Sequence, residues 1–284
     1  TGIRSEEAGT NRIETAVGLL GDSRIDVGGG NLLVLAGDIA GVGGRKVFRF
    51  HGTGIARLEG NVANVKDFGV FGGGTVELAM PARMDTDFED RIEGGSTLRL
   101  LADEQCRIHW PRYTQNGVLD LNGRTQTFQG ITFGHHNVDA RFTVTTGEDG
   151  LLRLTGGLSF QPFNWDDRNR TGTPLIRGNV ELAGSGWKNM TVVKQENTAV
   201  QIRIEAVIAG AGGIRCQGDG TLQLTGANTY AGDTTVARAK LGSRTGAGRL
   251  IIDGSATENS SGTGMGSAAV TVEPTGLIGG SGAI

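Results

Sequence analysis

The chain has 284 residues, of which 50 are Gly and 5 are Pro; 37% are hydrophobic, 5% are aromatic, and the net charge is −3. Gly and Pro together stay below the roughly 25–30% of low-complexity disorder, Gly lacks the three-residue period of collagen, and no apolar run approaches the ~18 residues of a membrane helix. The slightly negative charge offers no basic footprint for a nucleic-acid partner, which leaves one extended domain or two compact ones.

Residues 1–26 lack the pattern that dominates the rest of the chain. Within them, Thr10-Asn-Arg-Ile-Glu-Thr-Ala-Val-Gly-Leu-Leu20 combines an N-cap candidate with an apolar stripe. That suits a short capping helix, and an irregular first strand fits it equally well. A cap has a physical reason, because an open end of a strand stack is an exposed edge. The opening residues show no signal peptide, so a processed chain, a fragment and a cytosolic protein all stay open.

From residue 27 onward one short pattern keeps returning: Gly or Asn, then alternating apolar and polar residues ending in Leu or Ile, then a small residue. Examples are Gly30-Asn-Leu-Leu-Val-Leu-Ala-Gly37, Gly74-Thr-Val-Glu-Leu-Ala79 and Gly117-Val-Leu-Asp-Leu-Asn-Gly123. Copies start at 30, 54, 74, 95, 117, 150, 178, 198, 220, 248 and 267, mostly 20–24 residues apart. Each copy reads as a strand with one buried face. A longer match pairs Ile39-Ala-Gly-Val-Gly-Gly44 with Ile208-Ala-Gly-Ala-Gly-Gly213, which argues for duplication of a multi-rung block.

One strand repeated at this spacing, with Gly-rich corners and few helix signals, is a solenoid. The expected fold is all-β, a right-handed parallel β-helix over 27–284 with about eleven or twelve rungs spanning roughly 55 Å. A β-sandwich, with strands every ~8–12 residues, fits less well. The segment 208–284 is the repeat-like part, and with Tyr230 as its sole aromatic it should be the more regular and smaller-cored. Segments 103–113 and 160–175 break the pattern and read as loops leaving the helix body.

Residues that could carry chemistry each have a plain structural alternative. Asp85 and Asp87 share a strand face at a spacing that a glycosidase carboxylate pair could use, but a solvated acidic turn explains them as well. Asp166 and Asp167 sit in an aromatic loop, and nothing in the spacing shows either pair lining a cleft. His135 and His136 are adjacent, so on a strand they point to opposite faces and cannot chelate together. The Gly/Asp-rich run 210–220 lacks the tandem repetition of a calcium nonapeptide, and Gly-x-Gly copies precede strands rather than helices, so no phosphate cradle forms. No catalytic, cofactor-binding or metal-binding residue is assigned, and no cofactor is expected. Trp110, Tyr113, Phe163, Trp165 and Trp187 either form an exposed ligand-binding surface or close small cores beneath loops. Cys106 and Cys216 fall four rungs apart, roughly 19 Å along the stack, beyond the ~7 Å that a disulfide spans.

The run Thr221-Leu-Gln-Leu-Thr-Gly-Ala-Asn-Thr-Tyr-Ala-Gly-Asp-Thr-Thr-Val236 resembles the autotransporter-associated β-strand repeat, whose consensus runs roughly TLTLSGANTYTGGTTV. The run 266–284 is similar to the segment that commonly follows that repeat, and 119–128 and 208–213 fit its flanking rungs. The resemblance implies a secreted or surface-exposed bacterial β-helix, usually part of a larger passenger. It also implies a frequently adhesive or structural role, with many members having no assigned activity. Two departures stand out: no series of ~10-residue amphipathic strands with aromatic girdles marks an outer-membrane barrel, and the pattern stops at Ile284 where family members run on. A fragment, a processed product and a chain that uses its terminal rung for contacts all fit that stop.

The expectation is therefore a non-enzymatic, extracellular or cell-surface structural or adhesive protein, self-associating through its terminal rungs into filaments or a surface layer. The alternative is a polysaccharide-binding or polysaccharide-degrading β-helix, with a glycan or host-surface ligand. Neither reading calls for a nucleic-acid partner or a transmembrane segment. Converging carboxylates and aromatics would favour the second, a flat Gly/Thr/Asn surface the first.

Overall fold

A computed structural model describes residues 2–6, 9–86, 90–107, 112–113, 116–134, 141–160, 172–241, 244–253 and 269–281. The described residues form strands and no helix. Among the described residues every strand pairing is parallel except one hairpin, Arg238–Leu241 with Arg244–Ala247. The fold is a β-solenoid with three faces. The longest face is a sheet of twelve strands, running from Gly9–Ile13 through Asn31–Leu35, Thr97–Leu100 and Thr221–Leu224 to Leu277–Gly279. A second face is a five-stranded sheet (Gly2–Ser5 to Asp90–Ile92) followed by a seven-stranded one (Arg112–Tyr113 to Val270–Val272). The third face carries three strands early (Val17–Leu19 to Val62–Ala63) and four later (Thr125–Phe128 to Val207–Ala209).

The described residues of 2–26 form strands. The helical alternative for 10–20 gives way to strands, and Gly9–Ile13 pairs in register with Asn31–Leu35 as the first member of the long sheet. A residue on a strand edge gains a full ladder of backbone hydrogen bonds from the next rung, which an isolated short helix lacks.

Apolar side chains stack in columns inside the solenoid. On the twelve-stranded sheet, Leu33, Ala56, Val76, Leu98, Leu119, Val144, Ile176 and Ile204 are successive register partners. All eight are almost fully buried. At ~1.5–3 kcal/mol for each fully buried Leu, Val or Ile, such columns are the main favourable term, and each side chain stacks on its neighbours above and below. The large aromatics fill early and middle rungs: Phe48, Phe50 and Phe68 form an edge-packed cluster, and Phe133 lies 6.3 Å from Phe142. Beyond Trp187, Tyr230 alone is aromatic, buried with its hydroxyl 2.6 Å from Thr234 Oγ1.

Two sequence expectations need correction. The copies starting at 150 and 178 lie on the four-stranded third face, and the copy at 267 lies on the seven-stranded sheet. The long-sheet members in the first two of those rungs are Thr143–Thr145 and Leu175–Arg177. All three faces bury one side, so all three produce the same alternation, and recurrence alone does not tell one from another.

The second correction concerns 103–107, which stays in the stack rather than leaving it. The third face has no strand there, and side-chain amides take its place. Gln105 Oε1 accepts from Met80 N at 2.7 Å while its Nε2 donates to Met80 O at 3.1 Å. One rung on, Gln126 does the same to Cys106, at 2.8 and 3.2 Å. Each amide copies the donor-acceptor pair of a peptide group and satisfies backbone that would otherwise be buried unpaired. Residues 161–171, the centre of the other proposed loop, lie outside the described residues.

Close backbone approach explains particular glycines. Gly218 has φ +111°, and a Cβ there would collide with the Val192 carbonyl oxygen of the rung below. Cys106 and Cys216 are both buried, and neither forms a disulfide.

Candidate functional site

With the interior filled by side chains, chemistry has to sit on the outer faces, and these differ. The twelve-stranded sheet carries an alternating column, Arg57–Glu77–Arg99–Asp120, in successive rungs. Arg57 reaches Glu77 at 2.8 Å, Arg99 lies 3.8 Å from Glu77, and Arg99 reaches Asp120 at 2.9 Å. The third face repeats the device with Arg153 and Glu181 at 2.9 Å. Opposite charges stacked rung on rung favour the correct register and leave these carboxylates committed to arginines.

The five-stranded sheet mixes charges. Arg24 and Arg49 are register partners, Arg24 is held by Asp26 on its own strand, and His51 stacks on Phe71 at 4.8 Å. Burial, with the Arg24 charge second, lowers the His51 pKa below its usual value. The ring is therefore neutral over most of the physiological range.

The seven-stranded sheet is different in kind. None of its strands contains an Asp or Glu. Alternation turns Thr132, Ser159, Thr191 and Gln217 outward in one column and Asn189, Arg215, Thr235 and Thr271 in the next. Gln217 Nε2 donates to Thr191 Oγ1 at 2.8 Å. Trp187, 46% exposed, stands at the start of its strand opposite Gly213, which has no side chain to cover it. The Arg215 guanidinium lies 5.4 Å from the indole centroid, a cation–π distance. Glu273 holds the other side of Arg215 at 3.6 Å. Ser159 Oγ and Arg215 Nε are buried without a hydrogen-bond partner.

Of the sequence-level candidates, Asp85 is described and tied down. Its carboxylate accepts from Arg45 at 3.3 Å and from Asn64 N at 3.3 Å. Asp87, Asp166, Asp167, His135, His136, Trp110, Phe163 and Trp165 lie outside the described residues, as does the side chain of Tyr113. The run 210–220 contributes the strand Gly213–Gly218, and Asp219 accepts from Lys194 N at 2.8 Å, a structural use of the acid. Among the described residues no group of three or more His, Cys, Asp and Glu side chains could hold a metal, and no helix is long and apolar enough to cross a membrane.

Among the described residues, two concavities are larger than the small one of about 10 Å³ beside His51 and Phe71. One, about 160 Å³, is lined by Ile3, Val17, Leu19, Leu20, Ile25 and Phe48 and is the core seen from the open side of the first rung. The other is a pair of adjoining grooves of about 340 and 460 Å³ that share Ala199, Thr221 and Arg249. The first groove of that pair is also lined by Lys194, Glu196, Thr198 and Asp219, and the Asp219 carboxylate accepts from Lys194 N at 2.8 Å. Trp187 was visible in the sequence. Arg215, Asn189 and Gln217 were not singled out, although Arg215 lies 28 residues after Trp187, close to one long rung.

The described residues define a parallel β-solenoid whose outer faces differ in charge and hydrogen-bonding character. Residues 217–239 match the family model described as passenger-associated-transport-repeat. The solenoid and this repeat together fit an autotransporter passenger-type β-helix, which suggests a structural or secreted passenger. No curated protein and no solved structure matches the chain.

Proposed function

We propose that this chain is the non-enzymatic, structural or adhesive shaft of a secreted or cell-surface passenger. The observation that supports the reading is the passenger repeat at 217–239, which is continuous with the stack. Its strands Thr221–Leu224 and Thr234–Val236 pair with rungs on both sides. The test is made on intact cells producing the native gene product. Antibody against the solenoid should label them, and added protease should remove the signal; a signal found only after lysis overturns the reading.

In the same proposal, copies associate end to end. The end strands of the long sheet, Gly9–Ile13 and Leu277–Gly279, each have one edge without a partner among the described residues. Such an edge can accept a strand from a second copy. Electron microscopy of the purified chain, with its mass in solution, should show filaments or sheets with a regular axial repeat. A clean monomer removes association and leaves adhesion.

A further inference from the structure

The geometry points to the outer face of the seven-stranded sheet, centred on Trp187, as a binding site for a neutral, hydroxyl-rich polysaccharide that lies across consecutive rungs. This deepens the adhesive reading by naming a ligand class, yet the binding itself does not depend on where the protein is displayed.

Three observations carry it. First, the chemistry of this face is set apart within the same molecule. The other long faces interleave Arg with Asp or Glu, as in Arg57–Glu77–Arg99–Asp120, whereas the seven strands here hold no acid at all. Apart from Trp187 and Arg215, the outward positions named above are hydroxyls and amides, with Ser159 and Thr235 buried among them; such groups both donate and accept and so match the hydroxyls of a neutral sugar. Second, Trp187 offers a fixed aromatic platform. Gly213 leaves it uncovered, and Arg215, clamped by Glu273, sits against the ring. An exposed indole held in place in this way stacks well on the C–H face of a sugar ring. Third, Ser159 Oγ is a buried hydroxyl without a partner in the protein, in the column that continues to Thr191 and Gln217. A native fold normally satisfies such a group, directly or through a bound molecule.

The spacing also suits an extended ligand. Register partners recur every ~4.8 Å along the stack, so the hydroxyl and amide columns offer contacts at a regular interval parallel to the solenoid axis. A polymer meets several of them at once, while a single sugar meets one or two.

Isothermal titration of the whole purified chain tests this with cello-, chito- and xylo-hexaose as neutral probes and a heparin hexasaccharide as the anionic one. At least one neutral hexasaccharide should bind saturably, and Trp187→Ala should weaken it at least tenfold with the melting temperature unchanged. Trp187→Phe should fall between the two and keeps the test valid if the alanine variant unfolds. Val207→Ala, at an exposed apolar residue on the third face, should leave binding intact. Absence of neutral binding at millimolar ligand, binding insensitive to both Trp187 variants, or binding of heparin alone would each overturn the site. Cell-surface labelling would be untouched by any of these results, so this proposal and the passenger reading fail separately.

Discussion

Gln105 is the place where a side chain does the work of a strand, and replacing it measures how much that substitution is worth. It is 3% exposed, accepts from Met80 N at 2.7 Å, and donates to Met80 O at 3.1 Å and Asp103 O at 3.2 Å. Gln105→Leu keeps roughly the volume but strips Met80 of both bonds. Each buried group left unpaired costs about 1–3 kcal/mol, and the added apolar burial returns about 1 kcal/mol. The net loss should be about 1–5 kcal/mol, read as a lower urea midpoint with an unchanged slope in far-ultraviolet circular dichroism. Gln105→Glu adds a sign test. An ionised carboxylate would face the Met80 and Asp103 carbonyl oxygens, so its pKa rises in the fold above the ~4.3 of an unfolded Glu. The unfolded state then ionises first as pH rises, so the variant should nearly match wild type below that value and fall progressively behind above it. A Gln105→Leu variant within 0.5 kcal/mol of wild type, or a Gln105→Glu deficit that does not grow with pH, would refute the amide-for-strand account.

The remaining predictions test other links. Glu77→Lys places three cations in successive rungs; since Arg57 and Arg99 are partly solvated, the loss should be about 1–3 kcal/mol. Chemical denaturation in urea at 1 M NaCl, where the screening length is about 3 Å, should recover much of it. The Cys216 thiol, pushed up to about 12 by burial, should resist iodoacetamide at pH 8 and react only as the chain unfolds; fast labelling of the native protein contradicts the burial. His51, with its pKa lowered, binds its proton more readily unfolded. Stability should therefore fall as pH drops through about 6.5, and His51→Gln should flatten that part of the melting-temperature profile. Gly218→Ala forces a Cβ toward the Val192 carbonyl at φ +111° and should cost at least about 1–3 kcal/mol by thermal or urea unfolding.

Much of the solenoid was readable because its stabilising term is local and periodic. In Thr97–Leu100 the alternation Thr-Leu-Arg-Leu marks Leu98 and Leu100 as interior, and both are fully buried. Face assignment was not readable, because Leu151–Leu154 on the third face carries the same Leu-Leu-Arg-Leu signature as a long-sheet strand. The amide substitutes were missed for a related reason: Gln105 interrupts the apolar alternation, which looks like a loop when only hydrophobicity is tracked. The usable signal was spacing, since Gln105 and Gln126 are 21 residues apart, one rung. The candidate site divides the same way. Trp187 is conspicuous by type, whereas its meaning depends on Gly213 leaving it open and Arg215 meeting its ring, contacts between rungs 26 and 28 residues distant.

These limits follow from the architecture. In a stack, the interior of each rung must match its neighbours, so inward residues are constrained to a repeating apolar set and sequence repetition reports the core. Outward residues answer to no such requirement beyond avoiding like charges at ~4.8 Å. The Arg–Glu columns meet that requirement by alternation, and the seven-stranded sheet meets it by carrying almost no charge outward. Alternation locks register and leaves few groups for a ligand, whereas an uncharged hydroxyl face leaves register to the core and keeps its hydrogen-bonding groups available. On the proposed function, the two solutions on one molecule separate the faces that hold the stack together from the one offered to a ligand. Exchanging them is the corresponding experiment: introducing an Arg–Glu pair at Thr191 and Gln217, register partners on the seven-stranded sheet, should preserve or raise the melting temperature while abolishing hexasaccharide binding. Loss of folding would instead mean that the hydroxyl face is itself structural.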